Sequence, residues 1–363
     1  HQCVPTHGAG VAHGGAPCQP RYGGSGCGRN TQRWFTGFAL IWDYHAPWWL
    51  PGGNLQTIYA AKVAKRHVGP KAQWHRARWQ TPDADFIDVD WRVENTVRPE
   101  APLLVLFHGL EGSSQSHYAA AFAAETSRRG WHMAVPHFRG CSGEINLAPR
   151  AYHSGDYQDI SWMLENFRQQ HHGPIFAVGI SLGGNALMCW AGEAGAAASQ
   201  SVAGVVSVCS PLDLTASGHA IDRGFNKWVY ARMFLQTMKP RALAKLQQYP
   251  GLFDADKLMQ ASTLYEFDNV FTAPVHGYKD TEDYWLRASA KPRLNSIQIP
   301  ALVLNARNDP FIPADSLPKQ QEVSASVTLW QPEAGGHVGF ASGAFPGDLL
   351  EMPQAVMEWM THG

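Results

Sequence analysis

The stretch IFAVGISLGGNALMCWAGEAG, residues 175–195, decides the fold. Its first six residues are a continuous apolar run of the kind that forms a strand buried on both faces of a parallel sheet. Its last thirteen, GGNALMCWAGEAG, are mostly small and apolar, with two glycines at the start, which suits a helix packed closely on that sheet. Between them Gly179-Ile180-Ser181-Leu182-Gly183 matches G-x-S-x-G. This motif sets a serine on a sharp strand-to-helix turn with its hydroxyl exposed, and small residues two places to either side let strand and helix approach. With 35 glycines in the chain, the five residues alone could be an ordinary Gly-rich β–α turn. The strand before and the helix after are the context that gives the motif meaning.

Working outward, the same texture repeats. Segments at 75–80, 86–93, 103–108, 132–138, 204–210, 301–306 and 326–331 read as strands, the later ones as continuous apolar runs. Helical patterns such as HYAAAFAAETSRRG at 117–130 and YQDISWMLENFRQQ at 157–170 fall between them. Strand–helix alternation of this kind predicts a mostly parallel, doubly wound α/β sheet of about eight strands. Residues 214–290 interrupt it with helical segments such as FNKWVYARMFLQTM at 225–238. The sheet pattern resumes at Ala301, so the interruption reads as a helical cap over the carboxyl ends of the strands, where ligands bind in such sheets. A second, unrelated helical domain is the alternative. The core is then expected in two parts, 32–213 and 291–363.

Composition bounds the function. Of 363 residues, 45% are hydrophobic and 16% charged, with a formal net charge of -1. That is a globular chain without a nucleic-acid footprint or a strongly basic membrane surface. No eighteen-residue apolar run exists, so no transmembrane segment is expected. The six cysteines include no CxxC pair and no metal-ligand spacing, which predicts no metal site and a reduced, cytoplasmic protein. Residues 1–31 are rich in Gly, Pro, His and Cys and nearly devoid of large aliphatics, a composition expected to be disordered. The chain opens on His1 rather than Met, the start expected of a fragment, a processed product or a misassigned first residue. No signal peptide is recognisable there.

Three further motifs sit at ends of predicted strands. LLVLFH runs into His108-Gly109-Leu110-Glu111-Gly112. Acyl transfer needs two backbone N–H groups aimed at the developing oxyanion. Leu182, after the serine, and Leu110, in the loop after the third strand, are the expected pair. His108 reads as a buried brace for this loop, with a general base as its alternative. ALVLNA leads to Asp309, and SVTLWQ leads to Gly335-Gly336-His337. The order Ser181, Asp309, His337 suits a relay in which the imidazole takes the serine proton and the carboxylate fixes its tautomer. Asp213, in SPLDL, is a rival acid. Cys141 as a second nucleophile is the weaker reading.

Together HGLEGSS (108–114), FRGCSG (138–143), YHSGDYQD (152–159), GISLGGN (179–185), NARNDPFIP (305–313) and GGHVGF (335–340) resemble the YheT-like family of α/β-hydrolases. WWLPGGNLQTI (48–58) is similar to that family's opening segment, and TLYEFDNVFTAPVHGYKDTEDYW (263–285) to its cap signature. Asn54 and His137 depart from the family pattern. The resemblance covers about residues 34–355. It implies the α/β-hydrolase fold, esterase or lipase-like activity, and Ser181, Asp309 and His337 as the triad. Eukaryotic members often carry a membrane anchor where residues 1–31 have none, so a bacterial source is expected. Arg139, Asp156 and Asp159 are expected to brace loops by ion pairing, and Phe267-Asp268 to anchor the cap.

The function expected is a serine carboxylic-ester hydrolase working through an acyl-enzyme on Ser181 without a cofactor. Its substrate would be a small-molecule ester with an apolar acyl chain, short to medium in length. The same triad would serve an acyltransferase with an alcohol acceptor. A non-catalytic binding protein on a hydrolase scaffold is the third reading.

Overall fold

Eight strands form one sheet: β1 (Trp74–Gln80), β2 (Phe86–Arg92), β3 (Leu103–Phe107), β4 (His132–Pro136), β5 (Ile175–Ile180), β6 (Gly204–Val208), β7 (Ala301–Leu304) and β8 (Val327–Trp330). Their spatial order is β1-β2-β4-β3-β5-β6-β7-β8. The two pairings at the β1–β2–β4 edge are antiparallel and the other five parallel. The computed structural model describes residues 35–36, 39–40, 42–64, 71–94 and 96–362. The 1–31 extension expected to be disordered lies outside the described residues.

The parallel strands are apolar on both faces because both faces are covered. Every residue of β3, β6 and β7 is buried. Helices α3 (Tyr157–Gln170) and α4 (Leu182–Ala194) pack on one face through Ile160, Leu164, Phe167 and Leu187. Helix α2 (His117–Arg129) and the C-terminal helix α8 (Glu351–His362) cover the other through Phe122, Val356 and Met357. No described helix is long and apolar enough to cross a membrane.

The β1–β2 edge is built differently. Arg76 stands directly opposite Asp90, and Arg78 opposite Asp88. Each guanidinium meets its carboxylate through two bonds, at 2.7 and 2.9 Å and at 2.7 and 2.8 Å. Such cross-strand pairs fix register and dress an edge with charge. Burial alone would raise the carboxyls of Asp88 and Asp90. Their hydrogen bonds to arginine and to Ser142 and Ser114 outweigh it and hold both below the ordinary aspartate range. A carboxyl depressed in the folded state stabilises the fold above its unfolded value, near pH 4, and loses that stabilisation as pH falls through the folded value. The melting temperature should therefore hold down to about pH 5 and drop steeply below about pH 4. Scanning calorimetry from neutral pH downward checks this, and a curve that stayed flat to about pH 2.5 would contradict it.

Residues 214–290, between β6 and β7, are helical, and no described residue among them is in a strand. Helix α5 (Leu214–Ile221) is capped by Asp213, which accepts from Ala216 N at 3.0 Å. A continuous helical path follows through Gly224–Asn226, a π-helical turn at Lys227–Ala231, and α6 (Arg232–Gln248). The sequence pattern suggests an end at Met238, yet α6 runs through Pro240 to Gln248. Packing of Leu235 and Ala242 against Leu258, Leu264 and Phe267 overrides the local cost of the proline. Helix α7 (Thr281–Ala288) closes the insertion.

Candidate active site

The turn between β5 and α4 puts Ser181 at φ 52°, ψ -118°, a strained conformation for a side-chain-bearing residue. The strain is tolerated because the neighbours are glycine. A Cβ on Gly179 would stand 2.4 Å from Gly184 Cα, and one on Gly183 would stand 2.5 Å from the His108 carbonyl oxygen. Only bare backbone lets strand, helix and the loop after β3 meet here.

Asp309 and His337 come to Ser181 from the loops after β7 and β8. His337 Nε2 lies 3.0 Å from Ser181 Oγ, and His337 Nδ1 lies 2.8 Å from Asp309 Oδ2. Asp309 is buried, and its other oxygen accepts from Phe311 N at 2.8 Å. The carboxylate facing Nδ1 requires a proton there, so Nε2 is left as an acceptor for the serine hydroxyl. The Phe311 ring lies against the imidazole with centroids 4.2 Å apart, limiting its rotation.

The loop after β3 approaches the same hydroxyl. A Cβ on Gly109 would lie 3.2 Å from Ser181 Cβ. The N–H groups of Leu110 and Leu182 have no hydrogen-bond partner among the described residues, and both residues line the cavity beside Ser181. The turn after Leu110 is held by Glu111, at φ 57°. Glu111 N donates to the Tyr152 hydroxyl at 3.0 Å, that hydroxyl donates to Glu111 Oε1 at 2.8 Å, and Arg241 of α6 meets the same oxygen at 3.1 Å.

His108 is fully buried and away from this relay. Its Nε2 accepts from Phe138 N at 3.1 Å, so Nδ1 carries the proton and donates to Gly109 O at 2.8 Å. Burial, with His137 nearby, lowers its pKa to about 3, and the ring stays neutral as a brace of the loop. Asp213 serves as the α5 cap described above. The Cys141 thiol is pushed up to about 12 by burial and is no thiolate nucleophile at neutral pH. Arg139 bonds Asp83, Asp85 and Asp159, while Asp156 pairs with Arg150. Asp268 accepts from Trp285 Nε1 at 2.8 Å, and burial raises its carboxyl to about 7.

One layer of the site lies outside the motif logic. Gln56 and Thr57, on helix α1 (Gly53–Lys62), hold the histidine loop. Thr57 Oγ1 accepts from His337 N at 2.8 Å, and Gln56 Oε1 accepts from Gly335 N at 2.9 Å. Asn308 links Gln56 to Gly336 N through bonds of 3.0 and 2.9 Å. The one signal in the sequence was the LQT of the opening segment, which carries no chemistry by itself. Thr57→Val leaves the His337 N–H unpaired, a cost of about 1–3 kcal/mol. We expect kcat to fall about tenfold with KM little changed, as the ring loses its fixed position. Steady-state kinetics on a soluble ester checks it; unaltered kcat would show that the loop holds without this bond.

A cavity of about 130 Å³ extends from Ser181 under the insertion. Leu214, Phe234, Leu264, Phe267 and Phe271 make much of its wall.

Comparison with known proteins places this geometry in a family. A family model of the alpha/beta hydrolase fold matches residues 102–344. The chain is 38% identical over 311 residues to the Escherichia coli (strain K12) protein named "Putative esterase YheT", covering 85% of this chain and 90% of that protein. It is 28% identical to the mouse (Mus musculus) phospholipase ABHD3, over 88% of this chain and 79% of that one. Among solved structures, the Pyrococcus furiosus esterase Pf2001 superposes with a TM-score of 0.50 at 16% identity, covering 80% of this chain and 94% of that one, a likeness of fold alone. With a family match across most of the sheet and insertion, and a relative aligned over nearly its whole length, the chain belongs to the α/β-hydrolase family, among its YheT-like members.

Proposed function

We propose that the chain is a serine carboxylic-ester hydrolase acting through an acyl-enzyme on Ser181. The observation that carries this is the unbroken line from Asp309 through His337 to Ser181, at 2.8 and 3.0 Å, on the wall of an apolar cavity. Ser181 Oγ attacks the ester carbonyl while His337 Nε2 takes its proton. The oxyanion meets the free N–H groups of Leu110 and Leu182, each such donor contributing about 10²–10³ in rate. The imidazolium returns the proton to the departing alcohol. Water then repeats the sequence on the acyl-enzyme. Residues 214–290 act as the cap that walls the acyl site. The three described cysteines are free and buried, which suits a reducing, cytoplasmic setting.

A fluorophosphonate probe should label the wild-type protein and leave Ser181→Ala unlabelled. Equal labelling of both would sink the assignment. The apolar wall makes a second expectation. Each CH₂ added to the acyl chain of a p-nitrophenyl ester contributes about 0.8 kcal/mol when buried, or about fourfold in kcat/KM. The rise should persist from acetate into medium chains and then stop as the cavity fills. A profile that fell from acetate onward would refute an apolar acyl site.

A further inference from the structure

Between Asp222 and Asp254 the chain carries six cations, Arg223, Lys227, Arg232, Lys239, Arg241 and Lys245, and no carboxylate. The whole chain has a formal net charge of -1, so this is a local concentration of positive charge. The segment is the helical path from Gly224 to Gln248, and its two sides differ. Phe234, Met238, Arg241 and Lys245 line the cavity. Lys245 donates to the carbonyl oxygens of Asn146 and Ala148 at 2.6 and 2.7 Å, so the last two cations are spent inside the molecule.

The other side faces solvent and is both apolar and basic. Phe225 is 56% exposed, Trp228 72% and Met233 37%. Arg223, Lys227 and Arg232 have no ion-pair partner among the described residues, while Lys239 donates to the Met259 carbonyl oxygen at 2.8 Å. Tyr230 donates to Asn54 at 2.9 Å, which brings the start of α1, with Leu55 54% exposed, alongside. Exposed tryptophan and phenylalanine with unpaired lysine and arginine along one short helical path fit a lipid interface, rings among the acyl boundary and cations at the headgroups.

We infer that the outer face of residues 223–239 docks the protein on an anionic lipid surface. The occupant is argued from charge: three unopposed cations beside exposed aromatics fit anionic headgroups over an acyl layer, and each basic residue near such a surface adds attraction. The same helical path shows its inner face to the cavity that holds Ser181, so a lipid ester leaving the docked surface has a short apolar route to the nucleophile. That delivery rests on the ester-hydrolase reading; the docking does not.

The test is co-sedimentation of the full chain with phosphatidylcholine vesicles, with or without about one third phosphatidylglycerol. Wild type should pellet with the anionic vesicles, weakly with the neutral ones, and less as salt rises. Trp228→Ser with Phe225→Ser, and separately Lys227→Glu with Arg232→Glu, should each lower partitioning about tenfold or more. Both should leave hydrolysis of p-nitrophenyl acetate, without vesicles, within about twofold of wild type. Wild type that pellets with neither vesicle, or variants that pellet as it does, would overturn the inference. So would a wild-type dimer that Trp228→Ser splits, since the face would then belong to a second copy. A wild type that binds vesicles and hydrolyses no ester would refute the enzymatic reading and leave the docking standing.

Discussion

Ser181→Ala is expected to lower kcat on a soluble p-nitrophenyl ester by about 10⁴-fold or more while KM changes little. The reason is local. Removing one oxygen deletes the proposed nucleophile, but the cavity wall from Leu214 to Phe271, the proposed acyl site, stays in place. The Leu110 and Leu182 N–H groups, the proposed oxyanion donors, are also kept, so residual turnover should remain above that of water, by about 10³-fold. Alanine keeps the elbow, because the glycines at 179 and 183 provide the room and the Ser181 N–H still bonds Val208 O at 2.9 Å. The melting temperature should therefore move little, which separates lost chemistry from lost fold. The presteady-state burst of p-nitrophenol should vanish with it. A variant that kept a tenth of wild-type kcat would show that bond cleavage does not pass through this hydroxyl.

The largest effect on stability is expected at Arg139, which is only 3% exposed. Its guanidinium bonds Asp159 at 2.7 and 3.0 Å, Asp85 at 2.7 Å and Asp83 at 2.9 Å. Arg139→Met keeps the apolar stem and removes the charge. Asp85 and Asp159 are then left buried without their cation, and breaking a buried ionic cluster in this way costs about 3–5 kcal/mol. Against a total of about 5–15 kcal/mol that is a large share, and a fall in melting temperature of roughly 10 °C is expected. The penalty should depend on pH. Burial pushes the Asp85 carboxyl up, but Asn146, the Leu147 N–H and Arg139 pull it below the ordinary range. Burial and the neighbouring Asp156 push Asp159 the other way, against Arg139. Asp85 therefore brings acid sensitivity, as does the more exposed Asp83, which Arg139 also helps hold low. Their stabilisation is present above about pH 4 and lost below their folded values, so wild type and variant should converge as pH falls. Calorimetry at pH 7 and at about pH 3 checks both parts; an equal difference at the two values would mean that charge is not what Arg139 supplies.

These two sites differ in how far the sequence discloses them. The serine elbow is legible because its parts are adjacent: a strand, a turn with glycines at fixed offsets, and a helix of small residues. The order of Ser181, Asp309 and His337 is legible because each follows an apolar run of strand length. Of the partners of Arg139, Asp159 is expected among the loop-bracing ion pairs, but Asp83 and Asp85 are not, since they stand 56 and 54 residues away. No spacing rule joins them. The same holds for the pairing of Arg76 with Asp90, which needs the β1–β2 register, and for Gln56, which meets Gly335 across 279 residues.

Net charge hid something as well. A sum of -1 argues against a basic membrane surface only if charges of both signs are mixed in space. The run of cations from Arg223 to Lys245 is visible in the sequence, but which of them turn outward is decided by the packing of the helix that carries them.

By itself, then, the order of residues determined the sheet, the insertion and the three residues proposed for the chemistry, because periodicity and turn chemistry act over a few neighbouring positions. Tertiary structure alone decided the 2.8 and 3.0 Å spacings of the relay, the brace from α1 and the buried ion cluster. Those depend on distances between segments far apart in the chain, which exist only after the apolar strands have left water and brought their polar ends together.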